Sequence, residues 1–419
     1  MNNKIKILIL GISQSNFLNQ LYGEILKKTD RYAISIDGFY DVSKGQVKVD
    51  SIYSNYYDLK KAKSNRIQLY KNFLSFIFTP FFWEIFHFEL SQKKGIKQVY
   101  NILFSYAWAR YTVKHSILPL KQDIFHFHYC NPENLKFLHF LPSDSKIICS
   151  FWGSDLMRET GTENVFYVKK ALEKATIITI QTLELAEMLY CKYGRELKSK
   201  MQVAQFTIHT GIYDQIDVYK NNTTAIEDFK SKNAIPTNKI SIAISHNAFQ
   251  ANNHIEILNE LNKLDVHLKN KIVVLLPLGY GRSDTYLAQL DATINKIENI
   301  EIVKLDKFYN PEETALLRLA TDLMIQMPIS DALSGAMTEV LYAGNQVLSA
   351  AWLPYGMLRR NGVVYYEIEN FNAILDFVTK YVSHKDDYKV SNNDTAIKSF
   401  LFPDTTTAQW LSILDSIKK

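Results

Sequence analysis

Short apolar runs alternate with longer amphipathic segments along almost the whole chain. In the first half, the runs with the pattern of buried strands are Ile5–Leu10, Tyr32–Ile36, Ile124–His128, Lys146–Ser150 and Thr176–Ile180. In the second half they are Ile240–Ser245, Ile272–Pro277, Ile300–Lys304, Leu323–Gln326 and Gln346–Ser349. Strands separated by helix-length segments are typical of parallel sheets, so the pattern predicts an α/β protein with two doubly wound domains.

The predicted boundaries depend on chain length and on one polar stretch. A chain of 419 residues is too long for one ordinary core. The stretch YKNNTTAIEDFKSKNAIPTN, which ends at Asn238, has the composition of a connection. We therefore predict a first domain over residues 1–212, a linker over 213–238, a second domain over 239–395 and a C-terminal segment over 396–419, in which Thr406–Lys418 has the pattern of an amphipathic helix.

The charge is unevenly distributed. Residues 1–205 contain 28 Lys and Arg against 18 Asp and Glu, whereas residues 206–419 contain 20 against 25. A basic first half favours an anionic surface or acceptor, such as phospholipid headgroups or a lipid diphosphate. Nucleic acid is disfavoured as a partner, because no Arg-rich run or nucleic-acid-binding signature accompanies this charge.

The cysteines and the N-terminus indicate a reducing compartment. Cys130, Cys149 and Cys191 are widely spaced and form neither a disulfide framework nor a zinc-ligand pattern. The N-terminal apolar run is too short for a secretory signal and fits a first strand better. We expect the protein in the cytoplasm.

One segment of the first half is dense in aromatic residues. Asn72–Leu90 reads NFLSFIFTPFFWEIFHFEL and is soon followed by Lys93, Lys94 and Lys97. Pro80 and several polar residues interrupt it, so it lacks the roughly 20 clean apolar residues of a membrane span. Two interpretations stay open: an interfacial surface for membrane headgroups, or a pair of core helices that covers the first sheet.

Candidate catalytic side chains follow two strands of the first half. His126 and His128 share one face of a strand, and His128 is nearer to the end at which open α/β sheets bind ligands. The next strand ends in Phe-Trp-Gly-Ser-Asp, which makes Asp155 a candidate base for an acceptor hydroxyl, with Glu159 one turn later as the alternative. Asp155 is also a favourable N-cap residue, and that structural interpretation stays open. Two imidazoles without a third ligand do not indicate a metal site.

Glycine turns follow strands in both halves. Gly11 follows the first strand, where a small residue lets a ligand approach the backbone. The G-x-G-x-x-G fingerprint is absent, which disfavours an NAD-dependent enzyme. Gly279, Tyr280 and Arg282 follow the strand that ends at Pro277, and Tyr280 or Arg282 is a candidate to line a nucleotide.

The first loop of the second half is polar and contains no Lys or Arg. Between a strand and the next helix it places His246, Asn247, Asn252 and Asn253. Free N–H groups at the start of that helix are suited to a diphosphate. The negative charge of the diphosphate would then be balanced by backbone amides, by His246 or His254, and by Arg282.

Two carboxylates lie eight positions apart in the last strand-to-helix connection. Asp331 and Glu339 flank Ser334 and Gly335, which are suited to the start of a helix. Backbone N–H groups at such a helix start attract phosphate, and acidic side chains nearby accept hydrogen bonds from sugar hydroxyls. The combination indicates a nucleotide-sugar site.

These motifs resemble those of the two-domain GT-B glycosyltransferases. The pair Asp331-x7-Glu339 is similar to the E-x7-E motif of a large group of donor domains, in which the second carboxylate holds the ribose and the first approaches the transferred sugar. Trp152-Gly153-Ser154-Asp155-Leu156, Asn252-Asn253-His254-Ile255 and Pro277-Leu278-Gly279-Tyr280 resemble the bacterial transferases that move TDP-linked Fuc4NAc to lipid-linked intermediates. The chain departs from the E-x7-E group in its first acid, Asp, and in lacking the Arg/Lys pair that binds diphosphate there.

The resemblance implies a GT-B fold, with two Rossmann-like domains facing a cleft. It implies a glycosyltransferase whose partners are a nucleotide-sugar donor and a glycan or lipid-linked saccharide acceptor in bacterial surface polysaccharide assembly. The absence of a DxD-type motif predicts that the enzyme is metal-independent, and no cofactor is expected. It further implies that the C-terminal helix crosses back to the first domain, and the basic aromatic half favours a peripheral place on the inner face of the membrane. Two alternatives stay open: a nucleotide-sugar 2-epimerase on the same fold, and a non-catalytic glycan- or lipid-binding module.

Overall fold

The chain divides into two compact units, each built on one parallel sheet. The computed structural model describes residues 4–38, 50–59, 66–208 and 210–417. The first unit comprises Met1–Gln205 with Thr407–Lys419, and the second comprises Phe206–Thr406. Two doubly wound α/β domains were predicted, and this prediction is confirmed.

The first unit contains a seven-stranded sheet in the order β3-β2-β1-β4-β5-β6-β7. All of its described strand pairs are parallel, and residues 7–10, 124–128 and 147–150 of its central strands are buried. The strands are β1 (Ile5–Leu10), β2 (Tyr32–Asp37), β3 (Tyr53–Tyr57), β4 (Ile124–His128), β5 (Lys146–Ser150), β6 (Ile177–Ile180) and β7 (Met201–Val203). The helices are α1 (Asn16–Lys28), α2 (Arg66–Ile77), α3 (Pro80–Ser91), α4 (Ile96–Thr112), α5 (Ser154–Met157), α6 (Thr162–Lys174) and α7 (Leu183–Tyr193).

The second unit repeats this topology with six strands in the order β10-β9-β8-β11-β12-β13. Its strands are β8 (Ile240–Ile244), β9 (Ile272–Pro277), β10 (Glu301–Leu305), β11 (Leu323–Gln326), β12 (Gln346–Ala350) and β13 (Tyr366–Ile368). Its helices are α8 (Gly211–Tyr219), α9 (Thr223–Lys232), α10 (His254–Leu261), α11 (Val266–Lys269), α12 (Asp284–Ile294), α13 (Pro311–Ala320), α14 (Gly335–Tyr342), α15 (Gly356–Arg360), α16 (Ala373–Ser383) and α17 (Asn393–Leu401), and α18 (Pro403–Ser416) continues into the first unit.

All ten predicted strands are present, and three further strands are not among them. The additional strands β3, β7 and β13 lie at sheet edges. Edge strands bury little of their surface, so they lack the continuous apolar run by which buried strands are recognised. In β3, for example, Tyr53 alone is buried.

The polar stretch predicted as a linker forms helices. Over residues 213–238, α8 continues and α9 forms, and Phe229 of α9 packs in a hydrophobic cluster of the second unit. The second unit also extends beyond residue 395, because α17 belongs to it. From Thr407 onward α18 belongs to the first unit, where the Trp410 Nε1 donates to the Gln205 carbonyl at 2.7 Å.

The aromatic segment of the first unit forms the helices α2 and α3, which pack with α4. Phe76 and Phe82 are buried in a cluster with Leu103 and Tyr106 of α4. Among the described residues no single helix is long and apolar enough to span a membrane, whereas α2 and α3 pass that test together but are bent by 82°. The inner face of this segment therefore matches the core-helix interpretation.

Candidate functional site

The predicted donor residues lie around the switch point of the second sheet. The order of strands reverses between β8 and β11, from which the chain winds outward in both directions. Open parallel sheets bind ligands at the carboxyl ends of strands, in the crevice at such a point. The loops after β8, β9 and β11 contain nine of the predicted donor residues, and Gly335 and Glu339 follow on α14.

Backbone hydrogen bonds tie these three loops together. The Ala248 N–H donates to the Tyr280 carbonyl at 2.8 Å and joins the loops after β8 and β9. The Ile329 N–H donates to the Ala251 carbonyl at 2.8 Å and joins the loops after β8 and β11. The structure thus brings together segments that are about 80 residues apart in the chain.

The predicted amide side chains shape the loops from within. The Asn252 Nδ2 donates to the Asn247 carbonyl at 3.1 Å and to the Asn247 Oδ1 at 2.7 Å. The Asn247 Nδ2 donates to the Tyr280 hydroxyl at 3.3 Å. Asn253, in the left-handed region with φ of 56°, donates its Nδ2 to the Met327 carbonyl at 2.8 Å. These amides therefore hold the loop walls in place.

Three exposed aromatic rings surround the glycine turn after β9. Phe249, Tyr280 and Phe308 are 53%, 43% and 76% exposed, and the Tyr280 ring centroid lies 6.2 Å from each of the other two. Gly279 is required here, because a Cβ would lie 2.3 Å from the Lys307 carbonyl oxygen. Exposed aromatic faces offer stacking surfaces for the nucleobase of a nucleotide.

Helix α14 begins with two backbone donors. The Ser334 hydroxyl caps the helix by accepting from the Met337 N–H at 3.2 Å. Within the part of the chain that the structure describes, the N–H groups of Gly335 and Ala336 have no acceptor. A Cβ at Gly335 would meet no atom within 4 Å, so an anion has room to approach these donors.

The two predicted carboxylates are held by different partners. The Asp331 Oδ2 accepts from the hydroxyl of the buried Tyr355 at 2.7 Å. The Glu339 Oε2 accepts from the Arg318 Nε of α13 at 2.9 Å, and these two side chains are only 12% and 9% exposed. Burial raises the pKa of Glu339, and the neighbouring Arg318 lowers it. The ion pair thus engages the Oε2 of Glu339 and fixes the position of the other carboxylate oxygen, Oε1.

Arg318 was not predicted from the sequence. It lies on a helix and not in a loop, but it is the only cation in the apolar run Ala315–Ala320. A lone arginine within such a run signals a buried partner. Phe249 and Phe308 were also missed, because single aromatic residues in loops carry no sequence signal of stacking.

The two histidines expected to neutralise phosphate are not cations. Burial, with the nearby Arg318 and His254, lowers the pKa of His246 to about 3. His254 is fully buried, its Nδ1 lies 3.0 Å from the Tyr286 hydroxyl, and burial lowers its pKa to about 4. Both are neutral near pH 7, which corrects the expectation from the sequence.

Arg282 also forms hydrogen bonds within the protein. Its Nε donates to the Leu278 carbonyl at 2.7 Å, and its Nη2 donates to the Asp306 Oδ1 at 3.0 Å. The guanidinium therefore joins the loops after β9 and β10. In the loops after β8 and β11, backbone N–H groups are donors suited to a diphosphate.

In the first unit, the candidate residues lie at or after the carboxyl ends of the strands, as they do in the second unit. They are Gly11, His128, Asp155 and Glu159. The strand order reverses between β1 and β4, and the loop after β1 closes tightly on β4. Gly11 has φ of 100°, and a Cβ there would lie 2.2 Å from the His128 carbonyl oxygen. Glycine is therefore required at this position for backbone packing.

Asp155 is a brace between two loops. It is fully buried, and its Oδ2 accepts from the Cys130 N–H at 2.7 Å. Its Oδ1 accepts from the N–H groups of Trp152 and Gly153, each at 2.9 Å. Burial raises its pKa to about 6, although the backbone donors lower it. The carboxylate is inaccessible to an acceptor hydroxyl, and the N-cap of α5 is Gly153, so neither interpretation from the sequence describes its role.

His128 belongs to a buried hydrogen-bond chain. The Trp152 Nε1 donates to the His128 Nδ1 at 3.3 Å, and the His128 Nε2 lies 3.0 Å from the Tyr22 hydroxyl. That hydroxyl lies 2.6 Å from the His126 Nδ1, and the His126 Nε2 lies 2.6 Å from the Ser150 hydroxyl. Burial lowers the pKa of His126 to about 3 and that of His128 well below 6.5, so both rings are neutral.

The donors of the four hydrogen bonds from Trp152 to Ser150 can be assigned. An indole N–H only donates, so the His128 Nδ1 accepts and the His128 Nε2 carries the proton. Tyr22 then accepts from His128 and donates to His126. His126 in turn donates to Ser150, whose hydroxyl lies 2.6 Å from that of Thr179. With both ring nitrogens engaged, His128 holds Trp152 in place and is not available as a base.

Glu159 is the predicted catalytic residue that is not buried. Its side chain is partly exposed after α5, and its carbonyl accepts a hydrogen bond from the Lys192 Nζ. Among the described residues there is no group of three His, Cys, Asp or Glu side chains arranged to hold a metal ion.

Two doubly wound parallel-sheet units in one chain are the architecture of the GT-B glycosyltransferases, and this chain has that fold. It is similar to a glycosyltransferase of Rickettsia africae, with 14% identity over 100% of this chain and 99% of the other and a TM-score of 0.67. It is similar to Anabaena Alr3699/HepE in complex with UDP-glucose, with 13% identity over 98% and 100% of the chains and a TM-score of 0.62. For the α,α-trehalose-phosphate synthase of Burkholderia xenovorans in complex with glucose-6-phosphate, the identity is 10% over 99% and 100%, and the TM-score is 0.62. No protein-family model and no curated protein matches the chain.

Proposed function

We propose that this protein is a glycosyltransferase that moves a sugar from a nucleotide-sugar to a glycan or lipid-linked acceptor in bacterial surface polysaccharide assembly. The observation that supports it is the group of three joined loops at the switch point of the second sheet, with Asp331 and Glu339 beside them. The solved complexes of HepE with UDP-glucose and of the trehalose-phosphate synthase with glucose-6-phosphate support a sugar substrate on this fold.

In this proposal, each part of the site takes one part of the donor. The exposed rings of Phe249, Tyr280 and Phe308 stack on the base. Glu339, oriented by Arg318, accepts from the ribose hydroxyls, as its place in the motif implies. The diphosphate meets the N–H groups at the start of α14, whose dipole favours negative charge.

The reaction itself breaks the bond between the anomeric carbon and the phosphate oxygen and forms a bond to an acceptor oxygen, which loses its proton. Asp331 lies in the loop before α14, and we propose from the motif resemblance that it approaches the transferred sugar. If the chemistry is inverting, Glu159 is the remaining candidate base, because Asp155 is buried and bonded to three N–H groups. Helix N–H donors stabilise the leaving phosphate, and we propose that transfer is metal-independent and needs no cofactor.

The finer identity of the substrates also belongs to this proposal. The neighbours point to UDP as the first nucleotide to test, and the motif resemblance points to TDP-Fuc4NAc. We propose that the basic first unit receives the acceptor, and that the protein works in the cytoplasm at the inner face of the membrane.

The test is calorimetric binding of UDP, TDP and their sugars to the wild type and to Glu339→Gln and Phe308→Ala. Phe308 is 76% exposed, so its removal should not affect folding, and loss of a stacking ring should weaken the nucleotide about tenfold. Phe17→Ala is the matched control, because Phe17 is 59% exposed in the first unit and should leave nucleotide affinity unchanged.

Each outcome selects one function. Binding that both variants weaken, followed by nucleotide release only when an acceptor is added, supports the transferase. Conversion of the nucleotide-sugar without an acceptor would identify the 2-epimerase. Binding without turnover across donors and acceptors would identify a binding module, and no binding of any nucleotide to folded protein would overturn the donor site.

A further inference from the structure

The helices α2, α3 and α4 form a block between β3 and β4 that has two different apolar faces. The inner face is the buried cluster around Phe76 and Phe82. On the outer face, Tyr70, Leu74 and Phe78 follow one another at intervals of four residues and are 55%, 60% and 87% exposed. Tyr70 and Leu74 therefore lie on one side of α2, and Phe78 directly follows the last residue of this helix, so the three form an exposed apolar stripe.

The neighbouring helices α3 and α4 also expose aromatic side chains. Trp83 of α3 is 46% exposed and Tyr100 of α4 is 45% exposed. Tyr70 and Tyr100 both contact the ring of Phe104, at centroid distances of 5.9 and 6.0 Å, which places them side by side. Eight of the 21 large hydrophobic side chains that are exposed in the described residues lie between positions 67 and 100. Such a concentration differs from the scattered apolar residues of an ordinary surface and marks an interaction site.

Positive charge surrounds the stripe without acidic partners. Arg66, Lys71, Lys93 and Lys97 are exposed, and no ion pair joins them to an acid within the described residues. The two acids of this segment are both engaged: Glu84 pairs with Lys170 at 2.9 Å, and the buried Glu89 pairs with Lys94 at 2.7 Å. The surface therefore offers cations and aromatic rings together, which complements an anionic interface.

We propose that the outer face of α2, with Trp83 and Tyr100, docks on one leaflet of an anionic lipid bilayer. A protein partner is disfavoured, because lysine is depleted from protein interfaces and is enriched beside membrane-bound aromatic residues. The bend of 82° between α2 and α3 favours insertion into one leaflet over a straight span. This inference rests on the proposed function only for the choice of the inner leaflet, and it names the surface by which the enzyme meets its membrane.

The experiment is co-sedimentation of the full chain with phosphatidylcholine vesicles that either lack or contain about 30 mol% of the anionic lipid phosphatidylglycerol. We expect the wild type to bind the anionic vesicles and to lose binding as salt rises. Leu74→Ser/Phe78→Ser should weaken binding at least about tenfold, because two inserted side chains are lost. Lys71→Gln/Lys97→Gln should weaken binding to anionic vesicles alone.

The controls separate docking from folding and from donor binding. Leu183→Ser/Met188→Ser removes two side chains of α7 that are 54% and 40% exposed, and it should bind vesicles like the wild type. Leu74→Ser/Phe78→Ser should keep the wild-type affinity for UDP, so loss of docking and loss of the donor site give different results. Absence of vesicle binding at low salt, or equal binding by Leu74→Ser/Phe78→Ser, would overturn the proposal. If the wild type formed dimers in the absence of vesicles and Leu74→Ser/Phe78→Ser were monomeric, the surface would be assigned to contact with a second copy of the chain.

Discussion

The two sheets of this molecule share one strand order, but their carboxyl edges differ in chemistry. In the first unit, polar groups at this edge are buried and bonded to one another, as with Asp155 and its three N–H donors. In the second unit, the edge exposes three aromatic rings and the donors at the start of α14. The same topology therefore supports a buried polar network in one unit and an exposed surface of aromatic rings and backbone donors in the other.

The comparison also shows that an acidic residue at such an edge has no fixed role. Asp155 and Asp331 both follow a central strand, and both were predicted as site residues. Asp155 is fully buried and accepts hydrogen bonds from backbone N–H groups, whereas Asp331 is only partly buried and accepts from the hydroxyl of Tyr355. The partners that the fold supplies, and not the residue type, decide which acid is available to a ligand.

The largest expected effect is the loss of the brace in the first unit. Asp155→Ala leaves three buried N–H groups without an acceptor, and we expect unfolding to become easier by about 4 kcal/mol. Urea denaturation measures this change. Glu159→Ala, at a partly exposed position, should change stability by less than about 0.5 kcal/mol. An Asp155→Ala protein that is as stable as the wild type but inactive would return Asp155 to the role of base.

A smaller effect is expected for the ion pair of the second unit. Arg318→Met leaves the carboxylate of Glu339 almost buried without its cation, which should cost about 3 kcal/mol. Arg318→Met/Glu339→Gln removes the charge as well and should recover most of this loss. If the double variant were no more stable than Arg318→Met, the charge of Glu339 would not be the cause.

The loss in Arg318→Met should depend on pH. Burial raises the pKa of Glu339 above 4.5 and Arg318 lowers it, so removal of Arg318 raises this pKa further. A carboxyl group with a raised pKa in the folded state stabilises the protein at low pH, and this contribution is lost as the pH rises through the folded-state pKa. Arg318→Met should therefore lose more stability at pH 8 than at pH 5 when both are compared with the wild type.

The smallest effect on stability is expected at Gly335. A Cβ there meets nothing within 4 Å, and alanine favours a helix over glycine by up to about 1 kcal/mol, so Gly335→Ala should be neutral or slightly stabilising. It should nevertheless weaken nucleotide binding, because the methyl group enters the space beside the helix donors. Gly161→Ala is the control in the first unit, since Gly161 is the N-cap of α6 and a Cβ there also meets nothing within 4 Å. Unchanged UDP affinity in Gly335→Ala would remove the diphosphate from this helix start.

The sequence predicted the core strands and the loops of the site, but not the partners of each side chain. Strands such as Ile272–Pro277 are continuous apolar runs, and the loops that follow parallel strands must meet at one edge. The commitment of Arg282 to Asp306 and of His128 to Tyr22 depends on contacts between residues 24 and 106 positions apart. Arg318 was missed because its role appears only once α13 packs beside α14.

The buried chain from Trp152 to Thr179 has a direction, and this constrains how the indole ring can move. Because the indole N–H can only donate, His128, Tyr22 and His126 each accept at one end and donate onward at the other, as far as Ser150. If the Trp152 ring turned away, the His128 Nδ1 would lose its donor, and a new arrangement would require proton shifts on two histidines and two hydroxyls. A side chain at the edge of the sheet is thereby coupled to tautomer states deep in the core, so its rotation should be slow and should appear as linked line broadening of both imidazoles in NMR spectra.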